Sequence, residues 1–142
     1  MCFKWTRDLK DSARLYGQLT DELGQYKNLV ILSLRNNSIS GPIPLSIGNL
    51  SFLRSLNLQS NQINSTLPQS FGLHSKLESL NIGLNKLEGV VLEVHFANLM
   101  RLKTLFASQN RLTLEVSDTW TPPFQLNTLV LRSWNLGSKF PS

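Results

Sequence analysis

Cysteine and long apolar runs are nearly absent from this chain of 142 residues. Cys2 is the only cysteine, so the chain can form neither an internal disulfide nor a thiolate zinc site. No stretch reaches the roughly 18 consecutive apolar residues of a membrane helix. Residues 1–17 contain no apolar core of the length that a signal peptide uses. We therefore expect that the chain as written is neither exported nor anchored, and that this segment makes no membrane contact.

Concentrated positive charge is also lacking. The formal net charge is +5, but lysine and arginine are scattered through the chain, without a basic run and without interleaved aromatic residues. A nucleic-acid interface needs a basic patch on one face. The charge therefore indicates a solvated basic surface, and we predict no nucleic-acid partner.

Groups able to perform catalysis are sparse. The chain has no glycine-rich phosphate loop, no paired acids on a common element and no nucleophile beside a plausible base. Of its two histidines, we interpret His74 as displaced by a local shift that lets Leu73 fill the core. We interpret His95 as exposed, with no second ligand at metal spacing. The sequence predicts no enzyme, no catalytic residue, no cofactor and no metal site.

A repeated segment dominates what is present. The run LVILSLRNN begins at Leu29, and runs of the same spacing begin at Leu53, Leu77, Leu102 and Leu126. The starts are 24, 24, 25 and 24 residues apart (53−29, 77−53, 102−77 and 126−102). The pattern L-x-x-L-x-L-x-x-N with a period in the twenties is the signature of a leucine-rich repeat solenoid.

The repeat predicts an α/β-type right-handed superhelix with a concave parallel β-sheet and irregular or 3-10 convex segments. We expect a non-repeat segment at residues 1–14 and a solenoid of about five coils at residues 15–142. Such a solenoid would be open at both ends, which suggests a fragment of a longer protein. Four asparagines close successive repeats, and we expect them to satisfy backbone groups at each turn; they are Asn37, Asn61, Asn85 and Asn110.

The convex segments follow less regular rules. Gly41 is expected to permit a tight bend, and Ile47 and Leu50 to face the core. Residues 90–99 contain an insertion and are predicted to bulge or to form a short helix. Trp120 occupies in the fourth repeat the position that Ile47 and Phe71 hold in the first two, and we interpret it as a large core side chain.

The step Gly41-Pro42-Ile43-Pro44 resembles that of plant-type extracellular leucine-rich repeats. The segment WTPPFQL at residues 120–126 and the run LVLRSWNLGSKFP at residues 129–141 resemble receptor-like proteins that perceive fungal elicitors such as xylanase. The resemblance implies cell-surface proteins on the extracellular side of the plasma membrane. It also implies a signal peptide, a cysteine-containing cap, one membrane helix, no kinase domain and a partner co-receptor kinase.

Side chains at the outward positions of the predicted strands do not pack in the core, so their identity can serve binding. We expect them to bind a peptide or protein ligand such as a microbial elicitor. Basic residues predominate there, so the ligand should have some acidic character. The alternative is that these coils only space binding coils elsewhere. The candidate partner-binding residues are Arg35, Arg54, Gln59, Glu78, Lys103, Phe106 and Arg132.

Three sequons occur, at Asn36, Asn49 and Asn64, and their glycosylation would require secretion. Asn49 and Asn64 are expected on turns where a glycan fits. Asn36 is expected at the concave rim, where a glycan would obstruct binding.

Three functions therefore remain open. The first is a ligand-binding fragment of the ectodomain of a plant cell-surface receptor-like protein in defence signalling. The second is a secreted inhibitor of a microbial cell-wall hydrolase, which would use the same surface. The third is a truncated remnant without function.

Overall fold

The computed structural model describes residues 15–136, which form eleven strands and four short 3-10 helices. The predicted non-repeat segment, residues 1–14, lies outside the described residues, as do residues 137–142. The strands are β1 Tyr16–Gln18, β2 Ile31–Ser33, β3 Ser38–Gly41, β4 Ser55–Asn57, β5 Gln62–Ile63, β6 Ser79–Asn81, β7 Glu88–Val91, β8 Thr104–Phe106, β9 Arg111–Leu114, β10 Thr128–Val130 and β11 Asn135–Leu136. The 3-10 helices are η1 Asp21–Gln25, η2 Leu45–Asn49, η3 Gln69–Leu73 and η4 Glu93–Phe96.

One strand from each of the five repeats joins a parallel sheet, which we call the main sheet. Its strands pair in the order β10-β8-β6-β4-β2, and equivalent repeat positions lie side by side, as in the pairs Leu32–Leu56 and Leu56–Leu80. Register is fixed because a slip by one residue would turn the leucines out of the core. The predicted leucine-rich repeat solenoid is confirmed.

The core is a stack of equivalent side chains from successive coils. Leu32, Leu56, Leu80 and Leu105 are each at most 5% exposed, and burying such a side chain stabilises the fold by about 1.5–3 kcal/mol. Leu129 holds the same position on β10 but is 48% exposed, because no described coil stacks on its outer side. Stability therefore depends on stacking between neighbours.

The predicted asparagine ladder is confirmed. Asn61 Nδ2 donates to Leu34 O at 2.8 Å and to Leu58 O at 3.1 Å, and Asn61 Oδ1 accepts the Ile39 N–H at 3.0 Å. Asn85 and Asn110 make the equivalent bonds one and two coils later. Each amide thus ties two coils together and satisfies backbone groups that the turn leaves unpaired.

In the fifth repeat, Trp134 stands at the position of the ladder asparagines. The sequence pattern does not predict that a tryptophan can take over their hydrogen bond. Its Nε1 donates to Ala107 O at 2.7 Å, so the indole makes the bond to the preceding coil. Ala107 is fully buried where the earlier coils place Leu34, Leu58 and Ile82. The smaller side chain compensates for the larger ring beside it.

Two further sheets lie beyond the asparagine turns, where we expected irregular structure. They are β1-β3-β5 and β11-β9-β7, both parallel. Gly41 ends β3 with φ +78°, as the predicted tight bend requires. A side chain there would also collide with Gln18 on the neighbouring strand.

The 3-10 helices supply the rest of the core. Pro44 and Pro68 directly precede η2 and η3, since proline has no backbone donor that would be left unsatisfied there. Ile47 and Leu50 are fully buried, as predicted. The short helix expected within residues 90–99 is confirmed as η4.

The prediction for His74 is wrong. His74 is 1% exposed and Leu73 is 60% exposed, so the histidine keeps the core position that Leu50 holds one coil earlier. Among residues 15–136, no hydrogen bond of good geometry reaches either ring nitrogen. Burial lowers the pKa of His74 below 6.5, and the nearby backbone of Leu50 and Ile47 only partly offsets this. The ring is accommodated because a neutral imidazole packs as a flat, mostly apolar group.

The prediction that His95 is exposed is also wrong, since it is 4% exposed. Its Nδ1 accepts the Leu92 N–H at 2.9 Å, and its Nε2 lies 3.0 Å from Leu67 O. These partners assign the neutral tautomer with hydrogen on Nε2. His95 therefore fastens η4 to the preceding coil.

Trp120 packs against the core as expected, although it is only partly buried. Its ring lies 5.8 Å from that of Phe96 and 6.4 Å from that of Phe124. The rings of Phe96, Trp120 and Phe124 therefore form an aromatic cluster that joins η4 to the next coil.

Candidate ligand-binding face

The outward side of the main sheet, which we call the concave face, carries all seven candidate partner-binding residues. Arg54, Glu78 and Lys103 each lie one residue before a strand of the sheet, and Arg35, Gln59 and Arg132 lie two residues after one. Phe106 ends β8. The candidates therefore form two bands along the sheet rather than one cluster.

One band lies just before the strands and consists of Arg54, Glu78 and Lys103. An ion pair within this band neutralises part of its charge. Lys103 Nζ lies 3.8 Å from Glu78 Oε1, and both side chains are well exposed. Such a surface ion pair contributes at most about 1 kcal/mol, but it reduces the charge that Lys103 offers to a ligand. Arg54, on the adjacent coil, makes no ion pair within residues 15–136.

The other band lies at or just after the ends of the strands and consists of Arg35, Gln59, Phe106 and Arg132. It borders a depression of about 330 Å³. Gln59, Phe106 and Arg132 line it, whereas Arg35, Arg54, Glu78 and Lys103 do not. The remaining lining residues were not among the candidates from sequence; they are Asn81, Gly83, Leu84, Ser108, Gln109 and Val130.

Gly83 opens this depression. The equivalent positions of the other coils carry Arg35, Gln59, Ser108 and Arg132, so the third coil alone projects no side chain there. Gly83 itself is buried and lines the depression with backbone atoms alone. The signal was present in the sequence as the single glycine in an aligned column of polar residues.

Amide side chains hold the edge of the depression in place. Asn81 Oδ1 accepts the Gly83 N–H at 3.1 Å, and Asn81 Nδ2 donates to Gln59 Oε1 at 2.9 Å. On the opposite side, the Arg132 N–H donates to Ser108 Oγ at 2.9 Å. These bonds fix groups before any ligand arrives, which lowers the entropy cost of binding.

The floor of the depression is apolar. Phe106 is half-buried, and Val130 stands beside it on the neighbouring strand. Leu84 adds an apolar side chain that is 46% exposed. Its aligned positions carry Asn36, Ser60, Gln109 and Ser133, so it is the one apolar residue of its column.

Charge at the depression comes from Arg132. Its side chain is exposed and has no carboxylate partner within residues 15–136. An unpaired guanidinium beside an apolar floor offers a fork of donors that fits a carboxylate.

All three sequon asparagines are exposed. Asn49 ends η2 and Asn64 follows β5, while Asn36 lies at the edge of the concave face with φ +59°. Their glycosylation stays a prediction.

Among the described residues there is neither a candidate metal centre nor a candidate membrane-spanning helix. Between residues 15 and 136, no three histidine, cysteine or acidic side chains gather where they could hold a metal ion. No helix in that range has the length and apolar character to cross a membrane.

Comparison with known proteins agrees with this architecture. The Leucine Rich Repeat family model matches residues 28–50 and 52–73. Receptor-like protein 13 of Arabidopsis thaliana is 54% identical over 113 residues, which are 78% of this chain and 11% of that protein. The chain carries leucine-rich repeats and resembles plant receptor-like proteins. Receptor-like protein EIX1 of Solanum lycopersicum is 47% identical over 55 residues, or 39% of this chain and 5% of that protein.

Solved structures show the same type of leucine-rich repeat. The Arabidopsis receptor kinase HAESA, in complex with the peptide hormone IDA and the co-receptor SERK1, superposes with a TM-score of 0.78 at 28% identity. The match covers 87% of this chain and 20% of that one. This chain therefore spans about a tenth or less of the curated relatives and about a fifth of that receptor ectodomain.

Proposed function

We propose that this chain is a ligand-recognising part of the leucine-rich repeat ectodomain of a plant cell-surface receptor-like protein that acts in defence. The observation that carries the proposal is the preformed depression on the concave face, with its apolar floor and unpaired arginine. Its work is binding rather than catalysis, and its partner is a peptide or a protein segment.

Similarity supports the same assignment. Relatives with 47% and 54% identity are receptor-like proteins, and HAESA, which shares the fold, binds a peptide hormone and a co-receptor. Carried over to this chain, these facts favour a position on the extracellular side of the plasma membrane and signalling through a partner kinase. The hydrolase-inhibitor alternative uses the same surface, but the relatives favour the receptor.

Peptide selection tests the binding role. The 142-residue chain would be immobilised and used to select from a display library of random linear peptides. We expect enriched peptides whose affinity falls about tenfold in the variant Arg132→Ala. The matched control is Arg111→Ala, an exposed arginine at the start of β9 outside the concave face. If no peptide is enriched over bare support, the binding role is wrong. If Arg132→Ala and Arg111→Ala both bind the enriched peptides like the wild type, the depression is not the binding site.

Transcript sequencing tests the receptor assignment separately. Long reads through both ends of the reading frame should continue into further repeats and a membrane-spanning segment. Transcripts that encode secretion and a capped repeat domain without that segment would favour the hydrolase inhibitor. Transcripts limited to this reading frame would favour the remnant.

A further inference from the structure

We infer that the depression binds a peptide through one apolar side chain, which rests on Leu84, Phe106 and Val130, and through an adjacent acidic side chain, which pairs with Arg132. The inference rests on the proposed function and specifies the ligand that this site takes.

The backbone of Leu84 is the first observation. Leu84 has φ +54°, a left-handed conformation that bulky residues rarely adopt and that asparagine tolerates well. The equivalent residues Asn36, Ser60, Gln109 and Ser133 share this conformation, with φ between 59° and 72°. The turn therefore imposes the conformation on every coil, and only the third coil places an apolar side chain in it.

Leu84 is unfavourable for the isolated fold for a second reason, which is the exposure of its side chain. Leu84 is 46% exposed, so its side chain recovers only part of the burial energy that would offset the backbone strain. Strain that persists at a surface position is a reason to look for function there. Contact with a ligand would bury the exposed part of Leu84, and that burial is the gain that the free protein lacks.

Space for the ligand comes from Gly83. Its φ is not in the left-handed region, and a Cβ placed on it would approach Ser108 O to 3.3 Å and Asn81 Oδ1 to 3.4 Å. A side chain at this position would therefore require Ser108 or Asn81 to shift by a few tenths of an ångström. The missing side chain leaves room above the apolar floor for a side chain of the ligand.

Charge selects the second part of the ligand. Arg132 lines the depression with no carboxylate partner within residues 15–136. Arg35 and Arg54 add positive charge elsewhere on the concave face without a carboxylate partner among the described residues, whereas Lys103 is paired with Glu78. An acidic ligand side chain next to the apolar one fits this arrangement, and an apolar segment flanked by basic residues does not.

Three variants test the inference on the complete 142-residue chain. Leu84→Asn replaces the strained leucine by a residue suited to the left-handed conformation. Gly83→Gln fills the depression with the residue that the second coil carries at the aligned position, Gln59. Ser60→Asn is the matched control, because it relieves the same type of turn one coil away and Ser60 does not line the depression.

The probes are the peptides selected from the random display library, together with variants in which the apolar or the acidic residue is replaced by alanine. We expect enriched peptides to share an apolar residue next to Asp or Glu. Leu84→Asn should raise the thermal midpoint by about 2–4 °C and weaken binding about tenfold. Ser60→Asn should raise the midpoint similarly without affecting binding, and Gly83→Gln should abolish binding while the far-UV circular dichroism is preserved.

The outcomes separate this inference from the proposed function. If peptides bind in an Arg132-dependent way but are insensitive to Leu84→Asn and Gly83→Gln, the concave face binds peptides and the apolar subsite is refuted. The same conclusion follows if the enriched peptides lack the apolar-acidic pair. If no peptide binds at all, the proposed function fails, and the inference fails with it.

Discussion

At the scale of single residues, the chain departs from its own repeat where a polar or bulky side chain occupies a core position. His74 is the clearest case, because it stands in the stack between Leu50 and Leu99 and both its ring nitrogens lack hydrogen bonds. A neutral imidazole can be buried there, whereas an imidazolium ion cannot be buried without a partner.

His74 should make the stability of the chain depend on pH. Burial lowers its pKa below 6.5 in the folded state, so in mild acid the unfolded chain binds more protons. The free energy of unfolding should therefore decrease as the pH falls through 6.5 towards the folded-state pKa. His74→Leu, which restores the residue of the neighbouring coils, should remove this part of the decrease. Urea unfolding of both proteins at about pH 7.5 and about pH 5 measures this decrease. An equal decrease in the free energy of unfolding in the wild type and in His74→Leu would contradict the prediction.

At the scale of the coil, polar ladders fix how one repeat stacks on the next. Asn85 donates to Leu58 O, Ile82 O and Gly83 O, and it accepts the Ile63 N–H. Asn85→Ala would leave these buried groups unsatisfied and should lower the free energy of unfolding by about 2–3 kcal/mol. Asn64→Ala, at an exposed asparagine on a loop, serves as the control and should leave the urea midpoint unchanged. Equal effects of Asn85→Ala and Asn64→Ala on the urea midpoint would show that the asparagine ladder does not contribute to the free energy of unfolding.

The fifth repeat makes a related prediction about compensation between coils. Trp134 bonds to Ala107 O, and the small Ala107 leaves space for the indole. Ala107→Leu alone should overpack the core and cost about 1–3 kcal/mol. The double variant Ala107→Leu with Trp134→Asn carries the residues of the earlier coils at both positions. Its loss of unfolding free energy should be smaller than the sum of the losses in the two single variants. A double-mutant cycle from urea unfolding measures this coupling, and additive effects would refute compensation.

At the scale of the whole molecule, the sequence predicts what repeats and misses what depends on contact between different coils. The leucine columns and the asparagine ladder follow from a period that each coil satisfies alone. The burial of His74 agrees with the repeat, because His74 lies 24 residues after Leu50 (74−50). The prediction that Leu73 replaces it was wrong because packing keeps the register even where it buries an imidazole rather than a leucine. The depression was also missed, since it arises where Gly83, Phe106 and Arg132 from three coils meet.

The same dependence on neighbours makes the cost of a core substitution vary with position along the solenoid. Leu80 and Leu129 occupy equivalent positions, but Leu80 is 2% exposed between two coils and Leu129 is 48% exposed on the last described strand of the main sheet. Leu80→Ala should therefore lower the free energy of unfolding by about 3–5 kcal/mol, and Leu129→Ala by about 1 kcal/mol. Urea midpoints of the two variants compare them directly. Equal losses would mean that the end coil is as well packed as the centre, and that stability is not a sum over stacked neighbours.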